Sequence, residues 1–410
     1  MNDLEQFTQE QAFLDAILAY DLRIIKDETR FWMIRTKKGY FYNEFISNDF
    51  VALAWNTIIS ANDFSEANQA ALKDQVLLDY VEIKRPTTVI NKCESFIHDV
   101  KPGDYIVIPN AGSEYITIAI AGEYYEEESK TYEIEKEIIA RIEKKDVQIN
   151  EVSCPYRKRR KITPLKTLKS SEIDGKLFKA ISNYHGISTF DDYWRSILGV
   201  LYDTYSYQQN LNIVYHINRT SPVGPRTLSK LLWAATDCWC ELVSEDNISA
   251  QVHIASPGPV DFQIVEVIPQ CLDAVKILAG LTIGTISVVK PEAIPTFIKS
   301  LLTLPTEVDR EYIATKRAKL QLEKETKMLP LEIEEKKLNN LEKKVSILER
   351  LKGLGVDTKK LEASATELAE TFEYLKIESA EKDLPEALTD NEAVSDELIE
   401  EDIAEEETVN

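Results

Sequence analysis

The sequence predicts an α+β chain with a small N-terminal β-barrel, a mixed α/β middle region, and a C-terminal helical coiled coil ending in a disordered acidic tail. Three observations predict it. Short bulky apolar runs alternate with Gly, Pro and Asn turns up to residue 168. Strand-like and helix-like stretches then alternate to Pro305. After Pro305 the composition turns to Glu, Lys and Leu. The 410 residues suffice for two or three domains at ~100–200 residues each. The boundaries expected are 1–29 for an N-terminal helix, 30–168 for the barrel, 169–305 for the middle domain, 306–376 for the coiled coil and 377–410 for the tail.

In chain order, Leu4, Phe7, Phe13, Leu14, Ile17 and Leu18 recur at helical spacing, which predicts the first helix. Phe31 to Arg35 is bulky and strand-like, and Lys38-Gly39 marks a turn. Phe45 to Trp55 carries a polar break at Ser47-Asn48-Asp49 and then an apolar run, read as a buried strand. Residues 65–82 read as a helix with Ser65 as N-cap. Lys101-Pro102-Gly103-Asp104 and Asn110 to Ser113 are turns that bracket a strand from Tyr105 to Pro109, and Tyr115 to Ala121 is another strand. Residues 132–142 read as a further strand, and the basic run 157–169 as a closing one.

Further along, Ile187 to Tyr193 opens a helix running to Tyr202, Leu211 to Ile217 alternates as a strand, and Pro225 to Leu242 is a helix with Pro near its first position. Val252 to Ile254 and Phe262 to Ile268 are strands around Ser256-Pro257-Gly258-Pro259. Leu331, Leu338, Leu341, Val345 and Leu348 fit the a and d positions of a short heptad frame, which predicts a coiled coil joining copies of the chain. Residues 358–375 form a second helix. Residues 378–410 hold 14 Asp/Glu against one Lys, −13 of the net −22, and too few apolar groups to fold.

These totals exclude several classes. The acidity sits in the tail, so the chain as a whole does not attract nucleic acid; only a local basic patch can. Five cysteines, Cys93, Cys154, Cys238, Cys240 and Cys271, include no CxxC pair, so reduced thiols in a cytoplasmic protein are expected and no structural zinc site. Met1 to Gln11 lacks the basic start and apolar stretch of a signal peptide. Ile277 to Val289 is uncharged over 13 residues, where a spanning helix needs about 20, so it is expected in the core and no constitutive membrane span is predicted.

No phosphate-binding glycine loop, dinucleotide fingerprint, zinc-protease or nucleophile-elbow motif is present, so neither catalytic residues nor a cofactor are predicted. His98, His185, His216 and His253 read as structural or surface residues. Asp74 followed by Glu82-Ile83-Lys84 is half of a nuclease pattern, but it lies in a stretch read as a helix leading to a strand. The strongest chemical signal is Arg157, Lys158, Arg159, Arg160, Lys161, Lys166 and Lys169 with no acid among them, a cluster suited to phosphates. Trp32 and Trp55 are the aromatics that could wall a pocket for a base taken out of its stack.

Taken together, Trp32-Met33-Ile34-Arg35, the strand ending in Phe50-Val51-Ala52-Leu53-Ala54-Trp55, Phe96, the turn and strand Lys101 to Pro109, Gly122-Glu123-Tyr124 and Pro155 to Ile162 resemble the PUA/EVE-like barrel at the N-terminus of Mrr-type restriction and other prokaryotic phage-defence proteins. The resemblance spans residues of about 30–168, the size of one domain. Where that family often has Gly before the second Trp, this chain has Ala54. The resemblance implies recognition of nucleic acid, modified bases included. With the basic run it nominates Trp32, Arg35, Asn48, Trp55, Arg157, Lys158, Arg159, Arg160 and Lys161 as DNA- or RNA-binding residues. The stretch Ala255-Ser256-Pro257-Gly258 is similar to one in bacterial proteins that carries no implied activity. The expectation is a non-catalytic sensor or adaptor in antiphage defence, homo-oligomeric through the coiled coil and working with a partner defence protein. The rival expectation is an oligomerising effector that acts through protein or membrane contacts without nucleic acid.

Overall fold

The computed structural model describes residues 3–149, 151–184, 186–219, 221–252, 258–265, 272–305, 307–327 and 332–385. Leu331, His185, His253, Ala255 to Pro257, the end of the expected strand at 266–268, and the tail from 386 lie outside them. The fold is α+β, and the chain forms two compact units. One is built on Asp27–Leu201; the other joins Met1–Lys26 to Tyr202–Lys382. The N-terminal helix thus belongs with the C-terminal half, and residues 169–201 with the first sheet.

In Asp27–Leu201, a six-stranded sheet runs in the order Phe50–Leu53, Lys158–Lys169, Tyr115–Glu126, Tyr105–Pro109, Phe31–Ile34, Ile187–Thr189. Only the Phe31–Ile34 and Tyr105–Pro109 pair is parallel. The two twelve-residue strands carry register shifts at Ile118/Ala119 and Ala121/Tyr124, and Pro164 sits opposite Ala119 beside the first of these. Such bulges bend a strand and accommodate a residue without an N–H. The curled sheet closes over Trp32, Phe41, Phe45, Val51, Phe96 and Ile106.

Three expected elements differ here. Residues 132–142 form the helix Tyr132–Glu143, because Thr131 caps it by accepting from the Ile134 N–H, with Glu133 and Glu135 in the first turn and Arg141 in the last. The stretch before Trp55 divides into a helix, Tyr42–Ser47, and a strand, Phe50–Leu53. The helix expected from Ile187 begins as the strand Ile187–Thr189, passes through a 3-10 turn at Asp191–Tyr193 and is α-helical over Trp194–Leu198. Asp74 lies within the helix Gln69–Asp79 and Glu82 in the turn after it, so this pair is not on adjacent strands as a nuclease site requires.

The other unit also has a six-stranded sheet: Arg23–Ile24, Thr204–Tyr207, Asn210–Ile217, Gly258–Val265, Ile248–Val252, with Ile377–Glu378 added beside Asn210–Ile217. One face of its central strands, Leu211, Ile213, Tyr215, Phe262 and Ile264, packs on helices that contribute Phe13, Trp239, Leu278, Leu301, Leu351 and Phe372. Pro225 opens the helix Pro225–Cys240 as expected. Most of Ile277–Val289 lies in this core, as expected: Leu278, Ala279 and Leu281 are fully buried, while Val288 near its end is 53% exposed. Among the described residues no helix is long and apolar enough to cross a membrane.

The described positions of the heptad stripe pack within the chain. The helices Arg310–Lys327 and Glu332–Gly353 run antiparallel, joined by the ion pairs Arg310–Glu349 at 2.7 Å and Arg317–Glu342 at 2.6 Å. Leu338 and Val345 pack on Ile313, while Leu348 faces the main helical core.

Candidate ligand-binding pocket

The two tryptophans expected at a binding site have separate fates. Trp32 is 1% exposed, and its Nε1–H donates to Asp104 Oδ2 at 2.9 Å. The same carboxylate accepts the backbone N–H groups of Arg30 and Lys101. Trp32 is therefore a core residue that fastens the Lys101–Asp104 turn. Trp55, by contrast, is half-buried at the end of Phe50–Leu53 and lines a cavity of about 560 Å³.

The backbone of Trp55 holds φ at +69°, a region costly for a bulky side chain. Two buried charges keep it there. Glu135, 3% exposed, accepts the N–H of Trp55 on Oε1 at 2.7 Å and the N–H of Asn56 on Oε2 at 2.8 Å. Lys158, with no exposed surface, donates to the carbonyl oxygens of Trp55 at 2.6 Å and Ile58 at 2.7 Å. Burial lowers the pKa of the Lys158 ammonium, against the favourable pull of Cys93, Glu135 and Glu126. The side chain of Asn56 donates to the carbonyls of Lys130, Thr131 and Pro155 and accepts the N–H of Arg157, so the turn is tied down from every side.

The opposite wall is one face of the helix Tyr132–Glu143. Tyr132, Glu135, Lys136, Ile139, Ala140 and Glu143 follow the three- and four-residue spacing that aligns side chains on a helix. Tyr80 and Asp79 complete that side. The Tyr80 and Tyr132 rings meet edge to face at 5.4 Å, and the Tyr80 hydroxyl donates to Glu135 Oε2 at 2.8 Å. Burial, then the charge of Glu135, raises the Tyr80 pKa, so its hydroxyl stays protonated. Tyr156, Arg35, Lys37 and Lys92 are also at the wall.

Of the expected nucleic-acid-binding residues, Arg35 and Trp55 line the pocket, and Lys158 touches it through the Trp55 backbone. Arg35 donates to the carbonyls of Tyr184 and Ile181 and to Ser113 Oγ. Asn48 is exposed at the end of the helix Tyr42–Ser47, away from the pocket wall. The basic run is not the open phosphate edge its composition suggests. Arg157 pairs with Glu126 at 2.9 Å. Arg159 donates to the carbonyls of Tyr156 and Cys154 and stacks over Phe50 at 4.3 Å. Arg160, 2% exposed, donates to the carbonyls of Gly122, Phe96 and Ile97, and burial lowers its pKa. Only Lys161 of these five is exposed. Lys158–Lys169 lies between two other strands, and although its side chains alternate between the two faces, Lys158, Arg159 and Arg160 are all buried, so both faces are covered at its start.

Sequence reasoning missed Glu135, Tyr80 and Tyr132. The signal was available in Thr131 followed by two acids, a helix start that would have placed Tyr132, Glu135 and Ile139 on one face. The histidines add no chemistry here: His98 lies edge-on to Phe64, and His216 pairs with Asp203 at 3.3 Å in the other unit. Residues 32–172 match the family model of a domain of unknown function, DUF8426, a span that includes every pocket residue named above. No match was found among curated proteins or among solved structures.

Proposed function

We propose that Asp27–Leu201 is a non-catalytic recognition module that seats one nucleobase of a DNA or RNA strand against Trp55, as the reading part of a sensor or adaptor. The observation that carries this reading is the strained backbone of Trp55, fixed at φ +69° on a cavity wall by two buried charges. A conformation costing roughly 1–3 kcal/mol persists where its surroundings hold it, and such strain clusters at ligand sites. The cavity of about 560 Å³ falls in the range of small-ligand sites, and its aromatic walls suit the flat face of a base. Glu135 and Lys158 already position the wall, which favours binding over catalysis. The resemblance of residues 30–168 to the EVE-like barrels of phage-defence proteins supports the same ligand class and a role in defence.

The test is fluorescence anisotropy of labelled single-stranded DNA and RNA, modified bases included, with the full chain at low and raised salt. Binding that is lost in Trp55→Ala, with the fold intact by circular dichroism, is the expected result. Absence of binding to every strand at low salt, or affinity unchanged by Trp55→Ala, overturns the reading.

A further inference from the structure

We infer that Glu135 makes this pocket selective for a base that presents an exocyclic amino group beside Trp55. The inference rests on the nucleobase reading above and specifies which edge of the base is read. Glu135 is the most buried charged residue of the wall. Each carboxylate oxygen accepts about two hydrogen bonds. Oε2 holds two, from the Asn56 N–H and the Tyr80 hydroxyl, and is full. Oε1 holds one protein donor, the Trp55 N–H at 2.7 Å. Among the described residues no Lys or Arg forms an ion pair with Glu135. Oε1, on a residue that lines the cavity and bonds the Trp55 backbone, therefore keeps one acceptor position.

An occupant must meet that position with an N–H. The amino groups of cytosine, adenine and guanine can do so, and a carboxylate accepting from cytosine N4 is an established pairing. Thymine and uracil present a carbonyl oxygen at the corresponding place, with their N–H one ring position away at N3, so in the same pose the carboxylate meets an acceptor where cytosine offers a donor and the two repel. A hydrogen bond to a charged group, set against that repulsion, corresponds to discrimination of roughly tenfold or more.

The experiment uses the full chain and labelled single-stranded DNA with abasic neighbours around one central cytosine, adenine, thymine or N4,N4-dimethylcytosine. Cytosine and adenine are expected to bind about tenfold tighter than thymine, and dimethylation, which removes the donor while leaving the ring, to reduce cytosine to the level of thymine. Glu135→Gln removes the anionic acceptor and is expected to narrow the preference for cytosine and adenine over thymine. Should that variant fail to fold, the dimethylated strand alone decides. Equal affinity for all four bases, with binding still lost in Trp55→Ala, overturns the inference and leaves the pocket reading standing. No binding, or binding indifferent to Trp55→Ala, overturns both.

Discussion

The ammonium of Lys158 donates to the carbonyl oxygen of Trp55 at 2.6 Å from inside the core. This bond gives the basic run a structural role at the pocket: a cation of the sheet holds the backbone on which the half-buried indole is mounted. In Lys158→Met the carbonyls of Trp55 and Ile58 lose this donor. The Trp55 carbonyl keeps the N–H of Ile58 at 3.0 Å, so the Ile58 carbonyl is the acceptor left without this donor. A buried acceptor without a partner costs about 1–3 kcal/mol, and the variant should lose about that much. Urea unfolding is the measurement, with Lys161→Met, an exposed neighbour on the same strand, changing stability by about 0.5 kcal/mol or less. Equal effects of the two substitutions would remove Lys158 from this role.

What is legible in the sequence is what local chemistry decides. The strand Tyr105–Pro109 follows from the turn before it, where Gly103 takes φ +94°. The helix Thr358–Leu375 follows from Asp357, whose side chain accepts the N–H groups of Lys359 and Lys360. What is not legible depends on partners far along the chain. Tyr-Glu-Ile-Glu-Lys-Glu alternates at the period of a strand, and only the cap at Thr131 reveals a helix. The cluster at 157–161 is plain as composition, but its partners include Trp55, Phe96 and Gly122, which the cluster itself does not identify. Trp32 and Trp55 look alike as residues; Asp104 makes one a core fastener and Glu135 makes the other a pocket wall.

A close helix approach in the other unit gives a second prediction. A Cβ on Gly284 would lie 2.4 Å from Tyr20 Cδ2, and one on Gly280 2.9 Å from Ile17 Cα. The Gly-x-x-x-Gly spacing thus lets the apolar segment 280–284 rest directly on the N-terminal helix Asp3–Ala19. Gly280→Ala and Gly284→Ala should each destabilise by about 1–3 kcal/mol through overpacking. Gly353→Ala, where a Cβ meets nothing within 4 Å, should be neutral or stabilising by up to about 1 kcal/mol. Thermal unfolding of the three variants tests the ranking.

The buried thiols predict both reactivity and pH dependence. Burial pushes Cys93 up to about 11 and Cys238 up to about 12, and raises Cys154 further still. Iodoacetamide at pH 8 should leave all three unlabelled in the native protein and label them once it is unfolded. Between the ordinary thiol value of 9.0 and about 11, the unfolded chain has released the Cys93 proton and the folded one retains it. Stability therefore falls as pH rises through that window. The fall should be smaller in Cys93→Ala, measured by urea unfolding at several alkaline pH values; an identical slope would contradict the assignment.

The antiparallel pair Arg310–Lys327 and Glu332–Gly353 settles whose surface Leu338 covers. Moving from Arg310 to Arg317 along one helix moves the ion-pair partner from Glu349 back to Glu342 on the other, the same seven residues in the opposite sense. That geometry buries Leu338 and Val345 against Ile313 of the same chain, so these two heptad positions are covered without a second copy. Leu338→Ala should cost about 2–5 kcal/mol as a cavity in a buried cluster. Because the contact is within one chain, the loss should be the same over a roughly hundredfold range of protein concentration, whereas a contact between copies makes the unfolding midpoint concentration-dependent. A midpoint that rises with concentration in the native sequence, and loses that dependence in Leu338→Ala, would show that the stripe joins copies of the chain after all.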